Sequence, residues 1–224
     1  MIRKNVVNYL KIINILNENS FTRGDEIIAF GGGVVTDLSL FVAGSYQRGM
    51  DITLIPTSLL AMVDASIGGK CGINYNGYKN QIGMFYFPSQ IIIDESLLNT
   101  LDKDEFYNGF SEIIKCALIK DKKMFEEIES NNFVLEDLIN RAIAIKLSVI
   151  KQDIYDLFKE YNQVKRRKRI SIYSWWRNLW RTILKFKNNI CLAHKCVFYG
   201  YYSHRGFWAY CSKKLKKVKL ATFL

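Results

Sequence analysis

The sequence is poor in histidine and proline, with two of each, and its five cysteines include no Cys-x-x-Cys pair. An odd number of scattered thiols argues against a disulfide framework and against a cysteine-held zinc site. No apolar run is long enough to cross a bilayer. The start of the chain has neither the apolar stretch nor the small-residue cleavage site of a secretion signal, so a cytoplasmic location is expected. Another absence is local. Residues 161–224 contain sixteen Lys or Arg and no Asp or Glu, whereas the first 160 residues carry more acidic than basic side chains. The net charge of +11 therefore averages two unlike pieces. All four tryptophans and both histidines also lie beyond residue 160. A break of this kind marks a boundary.

The chain before that boundary is organised around Phe30-Gly-Gly-Gly-Val-Val-Thr-Asp37. The apolar run Glu26–Phe30 enters it as a strand. Leu38, Leu40, Phe41 and Ala43 leave it with helical spacing. Strand, glycine turn and helix together offer bare backbone N–H groups at a helix N-terminus. Glycine lets a pyrophosphate approach that backbone without meeting a Cβ. A mere turn is the alternative reading of three glycines. Asp37 is expected in the first helical turn, where a carboxylate suits the dipole.

Around this turn the periodicity predicts a helix over Val7–Leu16, with Asn19 or Ser20 as breaker. Strands follow at 51–56 and 90–94, the first ended by Pro56. Thr57 and Ser58 are placed to cap a helical turn over Leu59–Val63. Ser66–Tyr78 is glycine-rich, carrying Lys70 and leading to Lys79 and Asn80. Strands alternating with helices imply a parallel sheet covered on both faces. From Asp102 onward helices are predicted over 103–119, 121–129 and 134–153. The expected order is an α/β unit over 1–100, the start of an all-α unit over 101–160, and a basic aromatic tail over 161–224. One reading of the tail is a surface for RNA or membrane, with basic groups for phosphates and aromatics for stacking. The other, preferred because natural basic tails carry few apolar residues, is a sequence never selected to fold.

The glycine turn is followed by Arg48-Gly49, Ile55-Pro-Thr-Ser-Leu-Leu-Ala-Met-Val-Asp64 and Ser66-Ile-Gly-Gly-Lys70. Lys79-Asn80-Gln-Ile-Gly83, Phe87-Pro88 and Ser111-Glu-Ile-Ile-Lys115 come next. In this order, over roughly residues 7–155, these runs resemble the 3-dehydroquinate synthases, the sugar-phosphate cyclases of the shikimate pathway. Lys79-Asn80 and Glu112-x-x-Lys115 favour that family over other sugar-phosphate cyclases and over glycerol-dehydrogenase-like enzymes.

The resemblance implies an NAD-binding α/β domain followed by an all-helical metal-binding domain, and a homodimer. It implies conversion of 3-deoxy-arabino-heptulosonate 7-phosphate to 3-dehydroquinate and phosphate, with NAD used and regenerated in one turnover. It assigns NAD to Gly33, Val34, Val35, Thr36 and Asp37, to Thr57 and Ser58, to Lys70 and Lys79, and to the turn Leu97, Leu98, Asn99 and Thr100. It assigns Asp64, Lys70, Asn80 and Lys115 to the substrate, Arg48 to its phosphate, and Glu112 to zinc or cobalt. The residue types suit these roles. Lys and Arg stabilise a carboxylate and a phosphate, and Glu112 and Lys115, three apart, share a helix face.

The resemblance also exposes what is lacking. Family members carry further βαβ structure ahead of the helix at Val7, so the sheet is expected to be incomplete, with an open edge. They take two more metal ligands from histidine motifs. Here only His194 and His204 are present, and His194, in Leu192-Ala-His-Lys-Cys-Val197, is either a remnant or a chance residue. A catalytic zinc needs about three protein ligands, so this chain is expected to have little or no turnover. A shifted reading frame is one account of the tail. Tyr199–Arg205 can be encoded so that the next frame reads Met-Gly-Ile-Ile-Ala-Thr-Glu, which resembles the family stretch after its second histidine motif.

Overall fold

The computed structural model describes residues 3–151. The tail, its boundary near residue 160, both histidines and the last residues of the predicted 134–153 helix lie outside the described residues.

Helix α1 (Val6–Glu18) begins where the Asn5 side chain accepts the Asn8 N–H at 2.9 Å. That bond satisfies one of the donors a helix N-terminus leaves open. The helix stops at the predicted breakers, with Asn19 as C-cap and Ser20 at φ +58°. Strand β1 (Glu26–Gly31) pairs in parallel with β2 (Asp51–Pro56), placing Phe30 beside Ile55. Between them runs α2 (Gly33–Ser45), the crossover helix. Its Leu38, Phe41 and Val42 are buried with Ala29, Ile52 and Leu54 of the sheet.

The third strand is shorter than predicted. Only β5 (Gln90–Ile91) pairs with β2, giving the order β1-β2-β5. The chain then turns at Asp94, which accepts the Ser96 N–H at 2.9 Å and caps a 3-10 turn over Glu95–Thr100. The parallel sheet is as expected, and among the described residues β1 has a partner on one side alone, the expected open edge. Cover on both faces is not. Side chains alternate across a strand, so Ile28 and Phe30 point away from α2, and they remain 65% and 61% exposed.

The glycine-rich stretch leads into a hairpin that the sequence reading did not assign, β3 (Lys70–Tyr75) against β4 (Tyr78–Phe85). Two of its glycines are strand residues that let the backbones approach. A Cβ on Gly83 would stand 2.5 Å from the Cys71 carbonyl. Asn76-Gly77 makes the two-residue turn, with φ of +48° and +81°. Positive φ at both positions is what a hairpin turn of matching twist requires, and Asn-Gly is its strongest sequence signal. The hairpin lies along α2, close enough that a Cβ on Gly44 would meet the Met84 sulfur at 2.6 Å.

Helices α3 (Lys103–Lys120), α4 (Lys122–Ser130) and α5 (Leu135–Ile150) follow. Asp102 and Asp121 cap the first two, accepting the N–H groups of Asp104 and Met124. Ile113, Met124, Ile128 and Leu138 form a core that also takes in Leu59 and Met62 from the segment after β2. The two halves therefore share apolar side chains. Among the described residues no helix is long and apolar enough to cross a membrane.

A polar clamp holds the helices together at one end. The Arg141 guanidinium of α5 donates to Asp121 at 2.8 and 3.0 Å, to Glu127 at 2.5 Å and to Asp137 at 3.0 Å. The Met124 N–H first, and then Arg141, hold the Asp121 carboxyl below the usual carboxylate range, against the opposing effect of burial. A carboxyl depressed in the fold contributes stability above its unfolded pKa and loses it as pH falls through the folded value. Arg141→Ala is expected to cost about 1–2 kcal/mol at neutral pH, since three partly exposed pairs are broken. The gap from the parent should shrink in acid, where Asp121 is protonated in both. Urea unfolding at a series of pH values checks this.

Candidate active site

The glycine turn sits at the carboxyl end of β1, where open parallel sheets hold their ligands. Gly31 is packed under the first turn of α2, since a Cβ there would fall 2.7 Å from the Val35 side chain. Gly32 is the N-cap and offers no side chain to the helix donors. Val35 and Thr36 N–H groups bond back to the Gly32 carbonyl at 2.9 and 3.1 Å. The uncapped N-terminus beside Gly33 and exposed Val34 fits a phosphate group. Thr36 does not face that opening. It is fully buried, and its hydroxyl donates to the Gly33 carbonyl at 3.1 Å. Thr57 and Ser58 lie alongside the glycine turn. The Thr57 N–H donates to the Gly31 carbonyl at 3.0 Å, and a Cβ on Gly32 would stand 3.3 Å from the Ser58 hydroxyl.

Ser58 also accepts the Ala61 N–H at 3.4 Å, which fulfils the predicted capping role. The turn it starts is wound more loosely than an α-helix. Ala61–Ala65 is π-helical, and buried Ser66 closes it with its hydroxyl on the Ala61 carbonyl at 2.6 Å. Single π turns occur often at functional sites. This one carries Asp64. Lys146 of α5 donates to both the carboxylate and the main-chain carbonyl of Asp64. Lys115 of α3 lies near enough to feel the Asp64 charge, and it pairs with Glu112 one turn earlier. Burial pushes the Lys115 ammonium below the ordinary lysine range, and Asp64 opposes that shift. Two lysines and two carboxylates thus meet where the sheet half joins the helices. The sequence did not single out Lys146. It lies on a helix face 82 residues from Asp64, and no local spacing announces the pair.

On the other side of the glycine turn, Asp37 lies one turn deeper in α2 than expected, because the helix starts at Gly33. Its carboxylate pairs with Lys4 rather than with the helix dipole. Burial raises the Asp37 carboxyl above its usual range, with Lys4 opposing. Lys4 also donates to Asn80 at 2.6 Å.

The remaining predicted residues are more scattered. Lys70 opens β3, opposite Phe85, whereas Asn80 lies near the hairpin tip, where Asn74 accepts its N–H at 3.1 Å. Four strand residues, roughly 13 Å, separate Lys70 from Asn74. Lys79 is an exposed residue of β4. Leu98 is buried in the helical core, and Leu97 packs against that core, while Asn99 and Thr100 are exposed. Arg48, at φ +72°, follows α2 at the amino end of β2. The length of α2, roughly 20 Å, lies between it and the glycine turn. Within this chain Arg48 does not join the cluster.

For a metal the described residues do not fit. Glu112 is held by Lys115, and among the described residues no group of three His, Cys, Asp or Glu side chains converges.

Comparison with known proteins decides the family. Residues 2–108 match the family described as 3-dehydroquinate synthase N-terminal, and residues 109–162 match 3-dehydroquinate synthase C-terminal. The chain belongs to the 3-dehydroquinate synthase family. It is 43% identical over 158 residues to the 3-dehydroquinate synthase of Sulfurisphaera tokodaii, and 45% identical over 148 residues to that of Paenarthrobacter aurescens. Those alignments cover 67% and 62% of this chain but 45% and 41% of the relatives. The chain therefore spans less than half the length of the curated 3-dehydroquinate synthases it matches.

Among solved structures, a 2-epi-5-epi-valiolone synthase from Streptomyces hygroscopicus, with NAD+ and Zn2+ bound, superposes with a TM-score of 0.65 at 30% identity. That match covers 69% of this chain and 46% of the other. A 2-deoxy-scyllo-inosose synthase complexed with carbaglucose-6-phosphate, NAD+ and Co2+ gives 0.64 at 29%, covering 70% and 46%. The fold of this 3-dehydroquinate synthase family member is thus that of the sugar-phosphate cyclases.

Proposed function

We propose that the chain carries the cofactor turn and part of the substrate site of a 3-dehydroquinate synthase, the shikimate-pathway lyase that forms 3-dehydroquinate and phosphate from a heptulosonate phosphate. The observation that supports this best is a juxtaposition. The glycine turn meets the π turn, Gly33 lying so close to Ala65 that a Cβ would stand 3.4 Å from its side chain. The π turn in turn delivers Asp64 to Lys115 and Lys146.

In this reading residues 1–100 form the cofactor half and 101–160 begin the helical half. Gly33 and Val34 hold the pyrophosphate of NAD by backbone N–H groups, with Val35, Thr36 and Asp37 shaping the helix behind them. Thr57 and Ser58 line the wall beside it. When bound, NAD supplies a hydride acceptor for the substrate alcohol and returns the hydride later. Lys146 and Lys115 bind the anionic substrate, Asp64 holding the Lys146 ammonium and Glu112 that of Lys115. Lys115, one helical turn from Glu112 and close to Asp64, is placed to donate to a substrate oxygen. Lys70, Lys79 and Asn80 approach from the hairpin. Glu112 is the family's position for zinc or cobalt. The reading places the protein in the cytoplasm, as a homodimer with Arg48 outside its own site.

Calorimetric titration of the chain with NAD tests the reading. Binding in the micromolar range is expected, and Gly33→Val should weaken it on the order of tenfold to a hundredfold. That corresponds to losing a charge-assisted approach of about 1.5–3 kcal/mol. The absence of NAD binding would refute the assignment. Turnover of the heptulosonate phosphate by the chain alone is expected to be slow or undetectable, because Glu112 has no partner ligand among the described residues.

A further inference from the structure

We propose that the tail covers the open side of the parallel sheet. Residues 165–169 lie at the acidic amino end of β1, and residues 170–175 run along its free edge as a further strand. This does not depend on the reading of the glycine turn as the NAD site. Among the described residues β1 pairs with β2 on one side and with no strand on the other. The unpaired N–H and C=O groups of such an edge are a template for another strand, and proline, lysine or short length usually guards them. β1 has six residues and neither proline nor lysine among them. The face turned away from α2 is apolar along this edge. Ile28 and Phe30 stand on it, and Ile92 is turned the same way, one residue past Ile91 of the core on the α2 side. All three are exposed, beside an unpaired strand.

The end of α5 puts the tail within reach. Ile150 lies so close to Gly68 that a Cβ there would stand 3.0 Å from its side chain. Gly68 follows the π turn, and the π turn touches Gly33. The described chain therefore ends near the carboxyl end of β1. Residues 152–164 separate that point from Lys165. Extended, they span roughly 43 Å. A six-residue strand is roughly 20 Å long, so Lys165 can return to the amino end of β1. Charge selects that end. Asp25, Glu26 and Asp51 are exposed there, the last two in register across the parallel pair. Lys165, Arg166, Arg167, Lys168 and Arg169 supply the opposite sign. The run that follows, Ile170-Ser-Ile-Tyr-Ser-Trp175, is made of strand-forming β-branched and aromatic residues and serines, without proline or glycine. Ile170 and Ile172 share one face of such a strand and supply neighbours for Ile28 and Phe30. A segment tethered this way is present at an effective concentration in the millimolar range, above that of a second copy in dilute solution.

The test uses the full chain. Its four tryptophans, Trp175, Trp176, Trp180 and Trp208, all lie in the tail, so indole emission reports on the tail alone. Emission to the blue of free tryptophan is expected, with amide protection at residues 26–31 and 170–175. Ile28→Lys puts a charge on the covered face. It should quicken exchange of both segments on the order of tenfold, as for loss of one buried aliphatic side chain, and move emission to the red, while residues 103–130 exchange as before. Ile28→Val should keep the parent's behaviour. Should Ile28→Lys not fold, Ile172→Lys alters the tail alone. Exchange at 26–31 should quicken by the same factor in that variant, and parental exchange overturns the proposal. Emission of exposed tryptophan with no protection at 170–175 in the parent also overturns it, and marks the tail as a sequence that does not pack. Protection of 26–31 that rises with protein concentration assigns the edge to a second copy and overturns it. Emission that shifts only when RNA or anionic vesicles are added assigns the tail to an external phosphate surface and overturns it as well.

Discussion

Gly109→Ala should destabilise the protein by about 2 kcal/mol or more, although alanine is the better helix former by about 1 kcal/mol. The steric term decides the sign. Gly109 lies on the face of α3 turned to the segment after β2. A Cβ there would stand 2.4 Å from the Leu60 nitrogen, 2.6 Å from the Leu59 Cβ and 2.7 Å from the Leu59 carbonyl carbon. Two of those atoms are backbone, so no side-chain rotation relieves the contact. Leu59 itself is fully buried in the helical core. Forcing extra volume into such a place costs about 1–3 kcal/mol and sometimes more. The displaced segment leads directly into the π turn, so Asp64 should also move away from Lys115 and Lys146. Urea denaturation of the variant measures the first effect. A midpoint equal to the parent's would show that α3 does not pack on this segment as described.

Lys146→Met should remove most of the affinity for an anionic sugar phosphate, on the order of tenfold to a hundredfold, while lowering stability by only about 1 kcal/mol. The two magnitudes differ because the Lys146–Asp64 pair is partly open to water, at 23% and 43% exposure. Partly exposed pairs contribute little to folding. A desolvated charge-assisted bond to a bound anion is worth about 1.5–3 kcal/mol. Methionine keeps most of the stem, so packing on α5 is preserved. The variant leaves Asp64 facing the site with Lys115 as its nearby cation, and a second anion is then repelled. Titration with the heptulosonate phosphate and a thermal melt separate the effects. Lys146→Arg should retain binding. Equal losses of stability and affinity would mark the pair as structural.

Much of this arrangement is legible in the residues. Gly31–Gly33 between an apolar run and a helical one located the turn between β1 and α2, and Ser58 announced the cap of the segment after β2. Glu112 and Lys115, three apart, had to share a face, and they form a pair. The helix stops at Asn19 and Ser20 followed from side chains that compete with the backbone. Other features depend on contacts that no window of sequence contains. Lys146 reaches Asp64 only because α5 folds back over the π turn. Lys4 reaches Asp37 and Asn80 only because the first residues lie along β3. The hairpin over 70–85 was hidden for a different reason. Its glycines mask the strand pattern: Gly72 and Gly83 allow close strand approach, and only Asn76-Gly77 marks the turn. Resemblance alone points to Arg48, and chain direction puts it at the far end of α2.

The measurement that tests the central claim most directly is amide hydrogen exchange of the full chain with and without NAD. The account predicts protection at residues 31–37 and 57–58, with a smaller effect at the hairpin tip around Asn80 and none in α4. Protection confined to other segments, or no protection at saturating NAD, would contradict the assignment of the glycine turn as the cofactor site.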